Sequence, residues 1–316
     1  MLRVDGDDHT RMRRLVAQAF TPRAIGQWRV RAAELTEELL DVFEERGGGD
    51  ALHDFALPLP ATVISDMLGV PKADLEKLRG WSHAMAKTLD AVNTEDEQRR
   101  SVDAAIAMDS YLREVYDAKV SEPADDIFSA LIAAEHDGDR LTKNEVISNI
   151  RLLYVAGHET TTNLIGNGLV ELFRHPDQLE MVRTSDEHDT NLVEEVLRFN
   201  SPVQMTRRIP DHDIEVSGTA IPAGSVILLC AVSANRDPRK FGPTADEFDI
   251  TRADAKDQLS FGGGAHFCLG AALARLEGAI AIPRIIRRFP ELALAAEPEF
   301  EPRVVLRGVS RLDVTV

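Results

Sequence analysis

One long helical segment in the middle of the chain constrains the fold most. It begins at Thr142, whose spacing to Glu145 forms a T-x-x-E capping box, and it can extend to Arg174, just before His175-Pro176. At about 1.5 Å per residue the helix is roughly 50 Å long, enough to cross a domain. Its centre, Ala156 to Thr162, contains a glycine, a carboxylate and three threonines, and glycine and threonine are unfavourable in the middle of a helix. Local inconsistency of this kind is typical of functional sites.

Helical patterns dominate the rest of the chain. They cover 8–46, with a break at Thr21-Pro22, and then 60–68, 72–89, 95–120, 126–135, 191–199 and 269–289. Short alternating runs predict a hairpin of 214–216 with 226–229 and another of 303–306 with 312–316. We also expect Pro283 to kink the last helix. The fold class is therefore mainly α with minor β.

Composition excludes several kinds of partner. The 316 residues carry 36 Lys and Arg against 53 Asp and Glu, a formal net charge of −17, which argues against nucleic acid as a partner. No stretch of about 18 apolar residues occurs, so we expect no membrane insertion. Cys230 and Cys268 form neither a disulfide framework nor a C-x2-C zinc pair, which favours a cytoplasmic protein.

A glycine-rich loop places one of these cysteines at the start of a helix. Residues 261–270 have the sequence FGGGAHFCLG. The amides of Leu269, Gly270 and Ala271 are predicted to point at the Cys268 sulfur, and a helix N-terminus favours the thiolate, so the thiol should ionise easily. The loop suits a sulfur that ligates a soft metal. The alternative is a small buried side chain that only opens a helix.

Three motifs in this order closely resemble the cytochrome P450 family of haem-thiolate monooxygenases, in its soluble bacterial type. They are Ala156-Gly157-x-Glu159-Thr160 in the long helix, Glu195-x-x-Arg198 in a later helix, and the cysteine loop. The likeness covers nearly the whole chain and extends to His9-x-x-x-Arg13 and to the segments 235–238 and 248–252. It implies a long central helix over a haem, with small antiparallel sheets.

The resemblance implies haem b, iron protoporphyrin IX, as the cofactor, with Cys268 as the proximal ligand of the iron. Phe261 would shield the sulfur, and the loop glycines would let the backbone pass under the porphyrin. The propionates would be bound by His9, Arg13, Arg208 and His266. The other implied cofactor-binding residues are Ala156, Gly157, Gly262 and Gly270. Gln258 departs from the family pattern, because relatives commonly have a histidine there that contacts a propionate.

The resemblance also implies roles for the two helical motifs. Glu159 and Thr160 match the family's acid and alcohol pair on the oxygen-binding side, and the Thr160 hydroxyl can bond the Ala156 carbonyl. The alternative is a hydroxyl-rich turn that satisfies its own backbone. Glu195 and Arg198 suit a bidentate ion pair, which the family uses structurally, rather than an ordinary pair on a solvated face. The third member of this network is Arg252, with Arg236 as its rival.

The implied reaction is monooxygenation. One atom of O2 enters a C–H or C=C bond of a hydrophobic substrate, a terpenoid, steroid, fatty acyl or polyketide, and electrons come from NAD(P)H through a ferredoxin reductase and a ferredoxin. The acidic ferredoxin would dock at Arg11, Arg14 and Arg275. Substrate-lining residues, which could equally be plain core, are Leu152, Val155, Val203, Gln204, Met205, Val305 and Leu306.

One departure concerns the beginning of the chain. Relatives carry helices and strands before the segment that matches His9, so we expect 1–316 to be a single, monomeric haem-thiolate domain without that N-terminal section. A fragment, a misplaced start and a degenerate copy are three explanations. The strands near 214–229 would then expose an edge. The alternative function is a haem- or ligand-binding protein without turnover.

Overall fold

The computed structural model describes residues 1–90 and 93–316, and within them it contains twelve α-helices and eleven short strands. The helices are α1 (Gly6–Ala17), α2 (Pro22–Glu45), α3 (Pro58–Leu68), α4 (Leu75–Ala86), α5 (Glu95–Ser121), α6 (Ile127–Ala133), α7 (Lys143–Arg174), α8 (Pro176–Thr184), α9 (Asp189–Phe199), α10 (Ala231–Ala234), α11 (Pro238–Phe241) and α12 (Ala271–Arg288). A π-helical turn, Leu52–Ala56, precedes α3. The mainly α fold class is confirmed.

The central helix α7 begins where its capping box predicts and ends, as predicted, before His175-Pro176. The amide of Glu145 donates to Thr142 Oγ1 at 3.3 Å, and the amide of Thr142 donates to Glu145 Oε2 at 2.8 Å. Both bonds satisfy amides that a helix start leaves without partners. The helix ends at Arg174, directly before the Pro176 that opens α8.

The core forms where α7 contacts α3, α5, α9 and α12, while α12 also packs against α2. Gly168 allows α7 and α12 to approach closely, because an added β-carbon there would lie 2.7 Å from Ile282 Cδ1. Pro283 lies inside α12, which continues to Arg288. No helix in the described part of the chain combines the length and apolar character needed to cross a bilayer.

The strands form small antiparallel sheets. They are β1 (Gly48–Asp50), β2 (Glu135–His136), β3 (Asp139–Arg140), β4 (Met205–Arg208), β5 (Ile214–Val216), β6 (Thr219–Ile221), β7 (Ile227–Cys230), β8 (Ala293–Leu294), β9 (Glu299–Phe300), β10 (Val309–Arg311) and β11 (Asp313–Thr315). The sheet orders are β1-β11-β8, β10-β9, β2-β3, β4-β7 and β5-β6.

The predicted hairpin of 214–216 with 226–229 is wrong in its partner. Ser217 and Gly218 both have positive φ, 51° and 79°, and form a two-residue turn that pairs Val216 with Thr219. Such a turn returns the chain at once, so β5 pairs with β6. Strand β7 pairs with β4 instead, with Met205 opposite Cys230.

The predicted hairpin at the C-terminal end is also wrong. Leu306 makes only an isolated bridge with Val203, and no strand forms over 303–306. Strands β10 and β11 are separated by Leu312 alone, which is too short for a turn, so each pairs with a different sheet. The last two strands therefore belong to two different sheets: β10 pairs with β9, and β11 lies between β1 and β8.

Candidate active site

The cysteine loop is closed by its own backbone. The Cys268 amide donates to the Phe261 carbonyl at 2.9 Å, and the Gly262 amide donates to Leu259 at 2.8 Å. Gly262 and Gly264 have φ of 71° and 68°, which side chains disfavour. The amides of Gly270 and Ala271, two of the three predicted amides, lie near the Cys268 sulfur and favour its thiolate. The sequence thus forms a cradle of donors around one thiol.

The thiol does not ionise easily on its own. Burial raises the pKa of Cys268 above its ordinary value, and the bonds from Gly270 and Ala271 with the positive charges of Arg13 and Arg275 offset only part of this. Our expectation from the helix start was wrong, because the sulfur is also removed from water. A metal ion at the sulfur would deprotonate it, so the site suits a thiolate that is stabilised by a metal.

Phe261 and Arg275 form one side of this loop. The Arg275 guanidinium lies 4.6 Å from the centre of the Phe261 ring and makes an ion pair with Glu194 of α9. Gln258, buried nearby, donates to Glu194 Oε2 at 3.2 Å and accepts from the Ser260 amide at 2.6 Å. Gln258 therefore anchors the loop to α9.

Three of the four predicted propionate partners meet between α1 and the loop. The rings of His9 and His266 have centres 4.1 Å apart, and Arg13 donates to the Phe267 carbonyl at 2.6 Å. His266 Nε2 lies 2.6 Å from Asp5 Oδ1. Arg208, at the exposed end of strand β4, adds its charge, since the hydrogen bond from His266 and the charges of His9 and Arg208 lower the pKa of Asp5.

This cluster fits an anionic cofactor. His9 is 3% exposed, yet its Nε2 has no hydrogen-bond partner among the described residues. A buried polar atom of this kind costs about 1–3 kcal/mol unless an acceptor or donor meets it. Burial first, and then the charges of His266 and Arg13, lower the pKa of His9. A haem matches these groups, because its iron can bind the Cys268 sulfur and its two carboxylates can bind the basic side chains of this cluster.

The centre of α7 remains helical despite its polar residues. The Thr160 hydroxyl donates to the Ala156 carbonyl at 2.8 Å, as expected, and Thr161 donates to Gly157 at 3.1 Å. Ala156 is exposed, whereas an added β-carbon on Gly157 would meet Ile64 of α3 at 3.4 Å. Of the two cofactor contacts predicted here, only Ala156 lies on the open face of α7.

Glu159 is the buried carboxylate of this region, with a side chain 14% exposed. Its Oε1 lies 3.3 Å from His83 Nδ1 and 3.8 Å from His158 Nε2. Burial raises the pKa of Glu159, but the hydrogen bond with His83 and the positive charge of Arg303 outweigh it, so the pKa lies below its ordinary value. The carboxyl is therefore ionised at neutral pH.

The Glu195-Arg198 pair is fully buried and bidentate. Arg198 Nε and Nη2 each donate to the Glu195 carboxylate at 2.7 Å. Arg198 also donates to the carbonyls of Asn235, Ala245 and Glu247, so all five of its N–H groups are used. The pair holds the 235–252 segment against α9.

The structure also separates the two candidates for the third member of the network. Arg252 Nε lies 3.6 Å from Glu195 Oε1. Arg236 instead donates to the Phe199 carbonyl at 2.6 Å, with its guanidinium 3.8 Å from the Phe199 ring. Arg252, and not Arg236, is the arginine that shares the Glu195 carboxylate.

The predicted substrate residues do not form one set. Leu152 and Val155 lie half-buried on α7, and Val203 bridges to the buried Leu306. Met205 begins β4, and the amide of Val305 donates to Asp90 Oδ1 at 2.6 Å. The side chain of Gln204 is expected to point away from those of Val203 and Met205, because neighbouring residues of an extended segment point to opposite sides. It donates to Ser201 at 2.6 Å and lines a separate cavity.

The predicted docking arginines are all paired. Arg11 pairs with Glu145, Arg14 with Asp139 at 3.3 Å, and Arg275 with Glu194. The basic patch expected from the sequence is therefore partly neutralised.

Sequence reasoning missed Asp5, His83 and Asn235. Asp5 and His83 contact predicted residues that lie 261 and 76 positions away, and such pairs leave no local signal. Asn235 bonds Leu259, Ser260 and Leu197. It lies in the 235–238 segment, which the sequence does single out.

Comparisons with known proteins agree with this geometry. The Cytochrome P450 family model matches residues 58–188 and 190–308. Cytochrome P450 107B1 of Saccharopolyspora erythraea is 41% identical over 99% of this chain and 76% of its own length. Vitamin D(3) 25-hydroxylase of Pseudonocardia autotrophica is 40% identical over 100% of this chain and 77% of its own length.

A solved structure, P450BioI in complex with hexadec-9Z-enoic acid ligated acyl carrier protein, has a TM-score of 0.95 and 37% identity, covering 99% of this chain and 80% of that one. The cysteine loop, the cationic cluster beside it and these matches lead to one conclusion. The chain belongs to the cytochrome P450 family, the haem b monooxygenases, and its relatives are bacterial.

Proposed function

We propose that residues 1–316 form one haem-binding domain that inserts an oxygen atom from O2 into a hydrophobic organic molecule, by hydroxylation or epoxidation. One observation carries the proposal: the partly buried Cys268 thiol, with the amides of Gly270 and Ala271 near its sulfur, lies beside a cluster that contains His9 Nε2, which has no partner among the described residues. Arg13 links the two, because it bonds the carbonyl of Phe267, the residue before the cysteine.

When bound, a haem with a thiolate ligand supplies the activation of O2, because the sulfur donates electron density that favours O–O cleavage. Cys268 would be that ligand, and the amides of Gly270 and Ala271 would stabilise its negative charge. His9, Arg13, Arg208 and His266 would bind the propionates. Glu159 and Thr160 would hold and move protons on α7, from the Glu159 carboxylate to the Thr160 hydroxyl.

The substrate is proposed to be a medium-sized apolar molecule. Leu152, Val155, Val203, Met205 and Leu306 offer apolar contacts without a charged group among them. A pocket of this kind binds by apolar area and selects by shape. The names of two relatives, a vitamin D3 hydroxylase and a protein that binds an acyl chain on a carrier, support a terpenoid, steroid, fatty acyl or polyketide substrate.

Electrons are proposed to come from NAD(P)H through a ferredoxin reductase and a ferredoxin, in the cytoplasm. Both cysteines are free thiols, which a reducing compartment preserves. Phe267 is 42% exposed beside Cys268, and Arg14 is the most exposed of the three docking arginines. Arg14→Glu is expected to slow reduction at low salt and much less at high salt. An unchanged rate of haem reduction would remove Arg14 from the docking surface.

A second candidate, haem binding without coupled turnover, has one observation in its favour. Val216, Val226, Leu228 and Leu229 on or beside the strands β5 and β7 are between 46% and 62% exposed. An apolar surface of this kind is usually covered. If solvent enters here, reducing equivalents are lost as peroxide rather than used on substrate.

Oxygen incorporation decides between the two candidates. The haem-loaded protein is supplied with NADPH, a plant-type ferredoxin with its reductase, isotopically labelled O2 and a set of apolar probes that includes vitamin D3 and testosterone. We expect one labelled oxygen in a product and its loss in Thr160→Ala, whose peroxide release should rise. NADPH consumption that yields only peroxide with every probe would support the second candidate and contradict the first.

A further inference from the structure

Glu159 is held by a residue from another helix. His83, near the end of α4, places Nδ1 3.3 Å from Glu159 Oε1 and is half exposed, at 49% of its side chain. The contact joins α4 to α7 across 76 positions of sequence. Among the hydrogen bonds of the described residues, it is the one that reaches the Glu159 carboxylate.

The neighbouring histidine cannot take this role. His158 Nδ1 is bonded to the Tyr154 carbonyl at 2.9 Å, and its Nε2 is 3.8 Å from Glu159, beyond hydrogen-bond distance. Its side chain is 2% exposed, and burial lowers its pKa. His158 is therefore a neutral, fixed neighbour of Glu159, and the contact that solvent can reach is the one from His83.

A cavity with both apolar and charged side chains in its wall lies beside the two residues. Its wall combines α4, α7, the π-helical turn and the chain near β10. The titratable and charged groups that face Glu159 or this cavity are His83 and Arg79 from α4, His158 from α7, His53 from the turn, and Glu301 and Arg303 from the last segment.

These groups make the cavity suitable for protons and water. Arg303 is nearly buried, lies 3.5 Å from Glu301 and adds positive charge near Glu159. Arg79 is paired with Glu76 at 2.8 Å, and His53 with Asp50 at 2.7 Å, so neither is directed to Glu159 by its hydrogen bonds. His83 alone of these groups bonds the carboxylate and also reaches the surface.

We propose that His83 is a positioning residue for Glu159, which it holds at a cavity bordered by charged side chains that serves as the entry route for protons. The inference rests on the proposed function, since monooxygenation consumes protons as one oxygen atom leaves as water. A hydronium ion that enters from solvent through the cavity gives a proton to the Glu159 carboxylate and leaves a water molecule behind. Glu159 becomes a carboxylate again when it passes the proton towards Thr160, the next residue.

The direct test is an infrared titration of the Glu159 carboxyl in the haem-loaded protein. The band is assigned by its loss in Glu159→Gln. In His83→Ala the titration midpoint is expected to move to higher pH, because the hydrogen bond and nearby positive charge are removed. His83→Lys restores a cation and is expected to return the midpoint towards the wild-type value.

A second readout follows turnover. The acidic limb of the NADPH-dependent oxygen consumption rate against pH is expected to move upward in His83→Ala together with the infrared midpoint. The rate at the optimum should fall on the order of tenfold, less than the hundredfold or more typical of losing an acid or base itself. His53→Ala is the matched control, because His53 borders the same cavity but bonds Asp50.

Two results would overturn the inference. One is an unchanged Glu159 midpoint in His83→Ala, and the other is an equal shift in His53→Ala. The carbon monoxide spectrum of the reduced protein keeps this test separate from the proposed function. A wild-type protein without a red-shifted Soret band refutes the proposed function, whereas an intact band with an unmoved midpoint refutes only the role of His83.

Discussion

Two polar clusters of this protein differ in how completely the protein satisfies them. In the α9 network, defined as Glu195, Arg198 and Arg252 with the carbonyls they bind, Glu195 and Arg198 are fully buried and every N–H of Arg198 has an acceptor. In the α1-loop cluster, defined as Asp5, His9, Arg13 and His266, one buried nitrogen has no partner among the described residues and the one carboxylate is 87% exposed.

The difference separates a structural network from a binding site. A buried ion pair whose lone pairs and protons are all used fixes the chain around it, and removing one partner leaves an uncompensated charge. The three basic side chains of the α1-loop cluster, one of which has an unpaired nitrogen, instead destabilise the protein when they are left alone. A bound anion would lower this cost. The first cluster is therefore expected to control folding, and the second to control cofactor retention.

The largest effect is expected in the α9 network. Arg198→Ala leaves the buried Glu195 carboxylate with only the Asp249 amide and the more distant Arg252, and it removes the bonds to three carbonyls, at a cost of about 3–5 kcal/mol in the free energy of unfolding. Denaturant unfolding measures it. Arg239→Ala, in the same segment but 89% exposed, is the control and should change stability by less than about 0.5 kcal/mol. Equal stability of the two variants would show that the network does not anchor the fold.

Glu277 offers an intermediate case, a buried carboxyl without the partners that Glu195 has. Both of its oxygens are buried without hydrogen-bond partners in the described chain, and burial raises its pKa to about 8. The stability that this raised pKa contributes is fully present below about pH 4.5 and is lost as pH rises through about 8. The wild type should therefore lose stability relative to Glu277→Gln between these pH values.

Thermal unfolding from pH 5 to pH 8 measures this difference. The Tm of Glu277→Gln minus that of the wild type should grow with pH, at roughly 2–4 °C for each kcal/mol. Glu76→Gln, whose side chain is 87% exposed, should show a pH-independent difference. A flat difference for Glu277 would mean that its carboxyl finds a partner and is not an isolated buried acid.

The smallest effect is expected at His9, and it should leave folding intact. His9→Phe keeps a ring but removes the free nitrogen, whereas His9→Gln keeps a polar group that can bond a carboxylate. We expect haem transfer to an acceptor protein to be about tenfold faster from the Phe variant than from the Gln variant. Similar rates from both would place the propionates elsewhere, and a large loss of apoprotein stability would make His9 structural.

Local signals in the sequence predicted a large part of this architecture. The capping box fixed the start of α7, and the Glu195-x-x-Arg198 spacing predicted the ion pair, because both features depend on residues three positions apart. Strand pairing was predicted less well. The partner of β7 is β4, on the other side of the β5-β6 hairpin, and hydrophobic alternation does not specify which of several short strands pair.

The candidate site shows the same division. The cysteine loop and the Thr160 bond to Ala156 are local and were predicted, whereas the contact of His83 with Glu159 exists only because α4 folds against α7. The thiol pKa was predicted in the wrong direction, since the helix N-terminus is visible in the sequence and the burial of the sulfur is not. The substrate contact of Gln204 stays a prediction, since its side chain donates to the Ser201 carbonyl and borders a cavity that none of the other predicted substrate residues lines.

The central claim is that Cys268 is the ligand of a haem iron, and one spectrum tests it most directly. The reduced, haem-loaded protein is exposed to carbon monoxide, and wild type is compared with Cys268→Ala and with Cys230→Ala, which removes the other free thiol. We expect a strongly red-shifted Soret band in wild type and Cys230→Ala and its loss in Cys268→Ala. A wild type without that band, or a Cys268→Ala variant that keeps it, would contradict the assignment.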